Sequence, residues 1–407
     1  LIVHAKTQRS PLVSSSPLNS PVDRSHLTYA DGSRHRDCPH AHNKRSNSWI
    51  IRNSSVVELG VKTTTLSVDL RSACRMSLLS KKAGELRMIQ EFSHTPVMLE
   101  EVLVALGPTP SLPVIDATLG GAGHASAILE ADEDRVLIGL DQDEVAVDVA
   151  RERLRVFGGR VRVHHARFDQ ITSIAKRESI APGGVAAVLF DLGVSSYQLD
   201  TAGRGFSYHN DGPLDMRMDT STGMTAGEFI DQASEDQLSA LFYLHGETRF
   251  ARKIARALVA DRPLHSTTEL AELVARVIPI PARRRGHPAR RVFQALRVQV
   301  NAELDVLGPA IDDAIELLAP GGRIIVLSYH SGEDKITKDH LVYGSTGGCT
   351  CPPTLPCVCG AVPTLRLLNR GARKASPAEI ARNPRAESVR LRVAERLGTI
   401  FDEGARQ

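Results

Sequence analysis

Asp116-Ala-Thr-Leu-Gly-Gly-Ala-Gly-His124 is the stretch that decides the fold of this 407-residue chain. It follows the apolar run Val114–Thr118 and leads into a helical run over 125–130. Strand, glycine turn and helix in that order place a ligand at the turn. Glycines let the backbone approach a ligand without a Cβ clash. The helix that follows offers unpaired N–H groups at its first turn. Several nucleotide-like cofactors use such a turn, so the loop predicts a cofactor site and leaves the cofactor open.

Working outward, Val136–Leu140 reads as a second strand, ending at Asp141. An acid about 20 residues after the glycines can accept both hydroxyls of a ribose. The alternative for Asp141 is a helix N-cap, a role that Asp143 could fill instead. Val145–Phe157 has apolar residues at helical spacing. Val161–His165 is a third strand, followed by Phe168, which either stacks on an adenine or fills the core. Val185–Phe190 is a fourth, ending at Asp191, and Arg323–Ser328 a fifth, after the turn Pro320-Gly321-Gly322. Strands alternating with helices predict an α/β fold with a parallel, doubly wound, Rossmann-like sheet.

The alternation breaks between Asp191 and Arg323, where about 130 residues stand in place of a short connection. Helical patterns cover 226–245, 247–260, 267–278 and 289–318, punctuated by Pro263, Pro279 and Pro281. The expected organisation is an α/β domain of residues 91–199 and 306–400, with an inserted helical domain at 200–305 that recognises the substrate. Asp191-Leu-Gly-Val-Ser-Ser-Tyr-Gln198 lies at the carboxyl end of the fourth strand, where ligands gather in such sheets. An acid there can take a hydrogen bond from a substrate amine and aim its lone pair at a methyl donor. Methyl transfer between bound groups needs mainly alignment.

Charge is unevenly placed. The whole chain carries a formal +3, yet residues 1–87 hold fourteen Lys and Arg against six Asp and Glu. That segment lacks periodic apolar faces and reads as a disordered leader over 1–90. It fits a transit peptide or a basic RNA-binding arm. The reading adopted is a translated upstream region, with the start at Met76 or Met88. No run of about 18 apolar residues is present, and no secretory segment is visible, so a cytoplasmic, reducing location without a membrane is expected.

With these motifs in view, the chain resembles the bacterial 16S ribosomal RNA cytosine-N4 methyltransferase family RsmH, also called MraW. The resemblance spans about 92–398. It is carried by His94-Thr-Pro-Val-Met-Leu99, the loop 116–124, Asp191–Ser196 and Arg204-Gly-Phe-Ser-Tyr208. It continues through Asp211–Asp219, Arg291-Val-Phe-Gln-Ala-Leu-Arg297, Ser328–Lys335, Asn383-Pro-Arg385 and Leu391–Arg396. It implies S-adenosylmethionine as cofactor and a decoding-centre (P-site) cytidine of the small ribosomal subunit as acceptor. It also implies cofactor contacts from Ala122, Gly123, His124, Asp141, Phe168, Asp191 and Gln198, with Asp191 catalytic. Gly332, Lys335 and Tyr197 depart from the usual Leu, Arg and Pro of the family.

On the substrate side, Arg283–Arg291 packs five arginines into nine residues. It is either an RNA contact or a solvated charged face. His330, Glu333 and Asp334 either shape a pocket for the target base or cap the next helix, and the pocket is preferred. Asp211, Asp215, Arg217 and Asp219 form either a structural ion-pair network or a substrate contact. A flipped cytosine needs a stacking surface, for which Phe206 and Tyr208 are the candidates.

Cys349, Cys351, Cys357 and Cys359 have the ligand count of a structural zinc site, but their C-x-C spacing is tighter than the usual C-x₂₋₄-C. The alternative is a Pro-rich loop with reduced thiols, and no metal site is assigned. The rival functions are an amino-methyltransferase of other RNA or DNA, a ribosome-assembly factor that acts by binding, and a Rossmann dehydrogenase, which the Asp191 turn and the insert disfavour. The sequence leaves the oligomeric state open, a homodimer included.

Overall fold

The computed structural model describes residues 95–283, 287–352 and 358–398. The leader, Arg284, Arg285 and Cys357 lie outside the described residues.

In chain order the elements are α1 (Leu99–Leu106), β1 (Val114–Asp116), α2 (Gly123–Ala131), β2 (Leu137–Asp141), α3 (Glu144–Leu154), β3 (Val161–His165), α4 (Ile171–Arg177) and β4 (Val185–Asp191). A helical stretch follows with α5 (Ser196–Asp200), α6 (Ala226–Gln232), α7 (Glu235–Leu244), α8 (Ala251–Asp261), α9 (Thr267–Val277) and α10 (Arg290–Asn301). Then come α11 (Glu303–Leu317), β5 (Leu318–Ser328), α12 (Ser331–Thr346), β6 (Leu365–Leu367), α13 (Pro377–Arg382) and β7 (Arg390–Arg396).

These strands form one seven-stranded sheet in the order β3-β2-β1-β4-β5-β7-β6. The first five are parallel, as the alternating pattern predicts. β7 runs antiparallel to β5 and to β6. The order reverses between β1 and β4, so Asp116 and Asp191 end the two strands that flank the switch point.

β1 and nearly all of β4 are buried, which is why they read as unbroken apolar runs. Along the central strands the side chains alternate between two cores. Val188, Phe190, Ile324 and Val326 face α4 and α11, packing on Ile171, Ile174, Leu307 and Ile311. Leu189, Ile325 and Leu327 face the other way, with Val102 of α1 and Leu129 of α2. A third cluster belongs to the helical stretch and gathers Met216, Phe242, Ile254, Leu258, Leu270, Phe293 and Leu296.

The structure corrects three local expectations. The helix expected over 226–245 is two, because Ser234 caps α7 in a capping box with Gln237. The helix expected over 289–318 breaks at Ala302, which sits at φ 50 between α10 and α11. Pro320-Gly321-Gly322 lies inside β5 rather than before it: the β4 register jumps from Leu318 to Arg323, and Gly321 takes φ 79.

Candidate active site

A cavity of about 520 Å³ opens at the carboxyl ends of the parallel strands. Its glycine wall is the loop after β1. Gly120 and Ala122 take positive φ, and Ala122 is the N-cap of α2. A Cβ on Gly123 would stand 2.7 Å from Pro96 Cγ, so this glycine lets the 95–97 segment close over the loop. Gly120, Gly121, Gly123 and His124 line the cavity, while Ala122 is fully buried behind them.

Asp141 ends β2 at the cavity, and its carboxylate accepts from the Gly120 N–H at 2.7 Å and the Asp143 N–H at 2.8 Å. It therefore fixes the glycine loop and keeps lone pairs for a ligand. Burial raises its carboxyl to about 6. The N-cap of α3 is Asp143, which accepts from Val145 N–H at 3.1 Å. Asp143 also accepts from Gln198 Nε2 at 2.8 Å and Arg204 at 2.6 Å. Arg204 in turn donates to the carbonyls of Arg217 and Met218. Gln198 lines the cavity, but its amide is engaged on both sides, since Oε1 accepts from Ser195 N–H at 3.0 Å. Phe168 lines the cavity with its ring set edge-on to Phe190, centroids 5.9 Å apart.

Asp191 lies at the centre of the chemistry. Its backbone N–H donates to Thr118 Oγ1 at 2.6 Å, which locks β4 to the glycine loop. Its Oδ1 accepts from the Tyr329 hydroxyl at 2.7 Å, and its Oδ2 faces His124 Nδ1 at 3.5 Å. His124 Nε2 contacts the Val97 carbonyl at 3.0 Å, and a carbonyl can only accept, so Nε2 carries the hydrogen. Burial pushes the Asp191 carboxyl up, while His124 and Tyr329 pull against that rise. Behind it, burial raises Asp116 to about 8, so that group is protonated at neutral pH.

The edge formed by β5 serves two purposes. His330 is the N-cap of α12 and forms a capping box with Glu333, and both side chains line the cavity. Burial raises the Glu333 carboxyl, but His330 and Arg297 outweigh it and hold it below the ordinary range. Asp334 departs from the preferred pocket reading. It turns to β7 and binds Arg390 at 2.7 Å and Arg392 at 2.8 Å.

Phe206 and Tyr208 both reach the cavity. Tyr208 stacks on His287 with centroids 4.7 Å apart and meets Phe293 edge-on. Of the arginine cluster, Arg290 lines the cavity, whereas Arg291 pairs with Glu247 at 3.4 Å. Arg283 donates to the carbonyls of Ala275 and Ile278 at the end of α9. Asp215 and Arg217 form a two-bonded pair, and Asp219 binds Ser221; neither acid lines the cavity.

Three cavity features carried no assigned role in the sequence. Tyr329 follows β5 directly, and its place at a strand end was the available signal. Arg297 reaches the cavity from α10, bound through two nitrogens to Glu303 at 2.8 and 2.9 Å. Asn383 and Arg385 close the far rim, Arg385 bonding Ser196 and Asp200.

The glycine wall, an acid at the end of β2 and an apolar ring at Phe168 fit a nucleoside cofactor with a ribose. The carboxylate at the end of β4, beside open cavity, fits an acceptor amine.

Comparison with known proteins agrees. Residues 91–397 match the MraW methylase family. The chain is 49% identical over 314 residues to ribosomal RNA small subunit methyltransferase H of Syntrophotalea carbinolica, covering 75% of this chain and 98% of that protein. It is 48% identical over 327 residues to the protein of that name from Salinispora tropica, covering 77% and 86%. For the Geobacter sulfurreducens protein the figures are 47% over 312 residues, 75% and 99%. The chain belongs to the MraW methylase family and is an S-adenosylmethionine-dependent methyltransferase.

Proposed function

We propose that this enzyme methylates the N4 amine of a decoding-centre (P-site) cytidine in 16S rRNA of the small ribosomal subunit. The observation that carries the reading is Asp191, a half-buried carboxylate at the switch point, held between Tyr329 and His124 beside open cavity. The curated relatives are named for small-subunit rRNA, which supports the substrate class. S-adenosylmethionine supplies an electrophilic methyl group.

Gly123, His124, Asp141, Phe168, Asp191 and Gln198 form the cofactor side, while Ala122, expected there from the resemblance, is buried behind the glycine loop and supports it. The Asp141 lone pairs left over from Gly120 and Asp143 accept the ribose hydroxyls, and Gln198 acts by fixing Asp143. On the acceptor side, Asp191 takes a hydrogen bond from the N4 amine and turns its lone pair toward the donor. As the methyl group passes to the nitrogen its bond to sulfur breaks and S-adenosylhomocysteine would be left, while the nitrogen loses one proton, which Asp191 accepts. Burial raises its carboxyl, which makes it a stronger proton acceptor than an ordinary carboxylate. Phe206 and Tyr208 offer faces for a flipped base, and Arg290 is placed to meet a phosphate. The helical insert, 200–305, supplies this acceptor side. The working compartment is the cytoplasm; among the described residues no helix is long and apolar enough to cross a membrane.

The test is transfer of a labelled methyl group to isolated small subunits, naked 16S rRNA and DNA, with wild type and Asp191→Ala. Product at a single cytidine N4 of the subunit RNA, lost in Asp191→Ala, is expected. Wild-type rate in Asp191→Ala would remove Asp191 from the chemistry. Product on DNA alone would replace the substrate.

A further inference from the structure

Between α12 and β6 the chain makes a loop that leaves and returns through one point. Gly347 ends α12 at φ 63, and Gly348 and Gly360 also take positive φ. A Cβ on Gly347 would stand 2.5 Å from the Val362 carbonyl oxygen, so the outgoing and returning segments touch. Thr364 N–H donates to Gly344 O at 2.8 Å just below that crossing, and Cys349 N–H to Thr346 O at 3.1 Å.

Within this pinched loop the sulfurs of Cys349, Cys351 and Cys359 all lie within 4.8 Å of one another. Two come from the outgoing arm and one from the returning arm. The tight C-x-C spacing that argued against a metal thus matters less, because the ligand set is completed across the loop. Among the described residues of the loop little apolar burial accounts for the convergence: Val358 is 89% exposed and Val362 60% exposed. Ordering a loop of this kind costs backbone entropy that some other interaction must offset.

We propose that Cys349, Cys351 and Cys359 bind one Zn²⁺ as a structural staple that closes the loop between α12 and β6. Converging thiolates are the donor set of tetrahedral zinc sites. With Zn–S bonds of about 2.3 Å, tetrahedral geometry sets sulfur–sulfur distances at about 3.8 Å. The cluster needs to close by no more than about 1 Å to reach it. The fourth position is filled by water or a further side chain. The site is remote from catalysis: the sixteen residues of α12, about 24 Å at 1.5 Å each, separate its capping His330 from the cysteine loop.

The experiment is metal analysis of the full chain, purified under reducing conditions from zinc-supplemented cells, together with Co²⁺ titration of the metal-stripped protein. About one zinc per chain and a sulfur-to-cobalt charge-transfer band are expected. In Cys351→Ser the zinc should fall to a trace while S-adenosylhomocysteine binding stays within about twofold, as for distant sites. Wild-type protein without stoichiometric zinc and without the cobalt band overturns the proposal. So does iron in place of zinc, or full zinc retention in Cys351→Ser. If Cys351→Ser fails to fold, Cys359→Ser and the wild-type cobalt titration decide.

Discussion

Replacing Tyr329 by Phe removes one oxygen and keeps the ring. The lost atom donates the 2.7 Å hydrogen bond to Asp191 Oδ1. Burial first, and the neighbouring Asp191 charge second, hold the tyrosine hydroxyl well above its ordinary pKa, so it is a donor at every working pH. A hydrogen bond to a charged group contributes about 1.5–3 kcal/mol. Without it the ionised form of Asp191 loses that stabilisation, and the carboxyl, already raised by burial, rises further. If the ionised carboxylate does the work, the rate falls as pH drops through its pKa. The acid limb of the profile therefore moves to higher pH in Tyr329→Phe. On that limb the rate should drop about tenfold to hundredfold, the same 1.5–3 kcal/mol expressed as a ratio. The plateau at high pH should stay much closer to wild type. The assay is single-turnover methyl transfer to small subunits between about pH 6 and 9, where product release does not mask the step. An unmoved acid limb would refute the reasoning, whatever happened to the plateau, because the hydroxyl would then not be supporting the carboxylate.

Gly123→Ala puts a Cβ 2.7 Å from Pro96 Cγ, and an overpacking cost of about 1–3 kcal/mol should weaken S-adenosylhomocysteine about 5- to 100-fold by calorimetry; an unchanged Kd would separate the loop from the cofactor. Arg290→Ala should weaken subunit binding and lower the slope of log K against log salt by about 1 in filter-binding titrations; an unaltered slope would take Arg290 off the RNA. Asp334→Asn should destabilise the fold by about 1–3 kcal/mol in urea unfolding at pH 7, because two guanidinium groups lose their carboxylate. Although burial works to raise it, Arg392 and Arg390 hold the Asp334 carboxyl below the ordinary range. Its stabilisation is therefore present above about pH 4 and is lost as pH falls through the lowered value, so the gap between variant and wild type should close in acid.

The parallel half of the sheet was legible because buried strands write themselves as apolar runs, from Val114 through Phe190. β6 and β7 were not. β6 has three residues, and β7 reads Arg-Leu-Arg-Val-Ala-Glu-Arg, where Arg390 and Arg392 pair with Asp334 of α12 and Glu395 accepts from Arg323 of β5. Charge satisfied by a distant partner looks, in sequence, like charge on a solvated face. The glycine loop, Asp141 and Asp191 could be picked out because each ends a strand or opens a turn. Gln198 could be named but not understood, since its partner Asp143 is 55 residues away. Arg283, Arg290 and Arg291 show the limit from the other side: a dense basic run sends its members to three different tasks.

The carboxylate of Asp143 has a consequence for how this protein can be re-engineered. It receives the first turn of α3, the amide of Gln198 and the guanidinium of Arg204, all at a buried point. The helical stretch is therefore not a detachable cassette. Excising it would remove Gln198 and Arg204 together and strand the Asp143 anion in the interior, a defect that costs several kcal/mol. A chimera that borrows a relative's substrate-binding helices should inherit Asp143, Gln198 and Arg204 as one unit, or be expected to misfold at the graft.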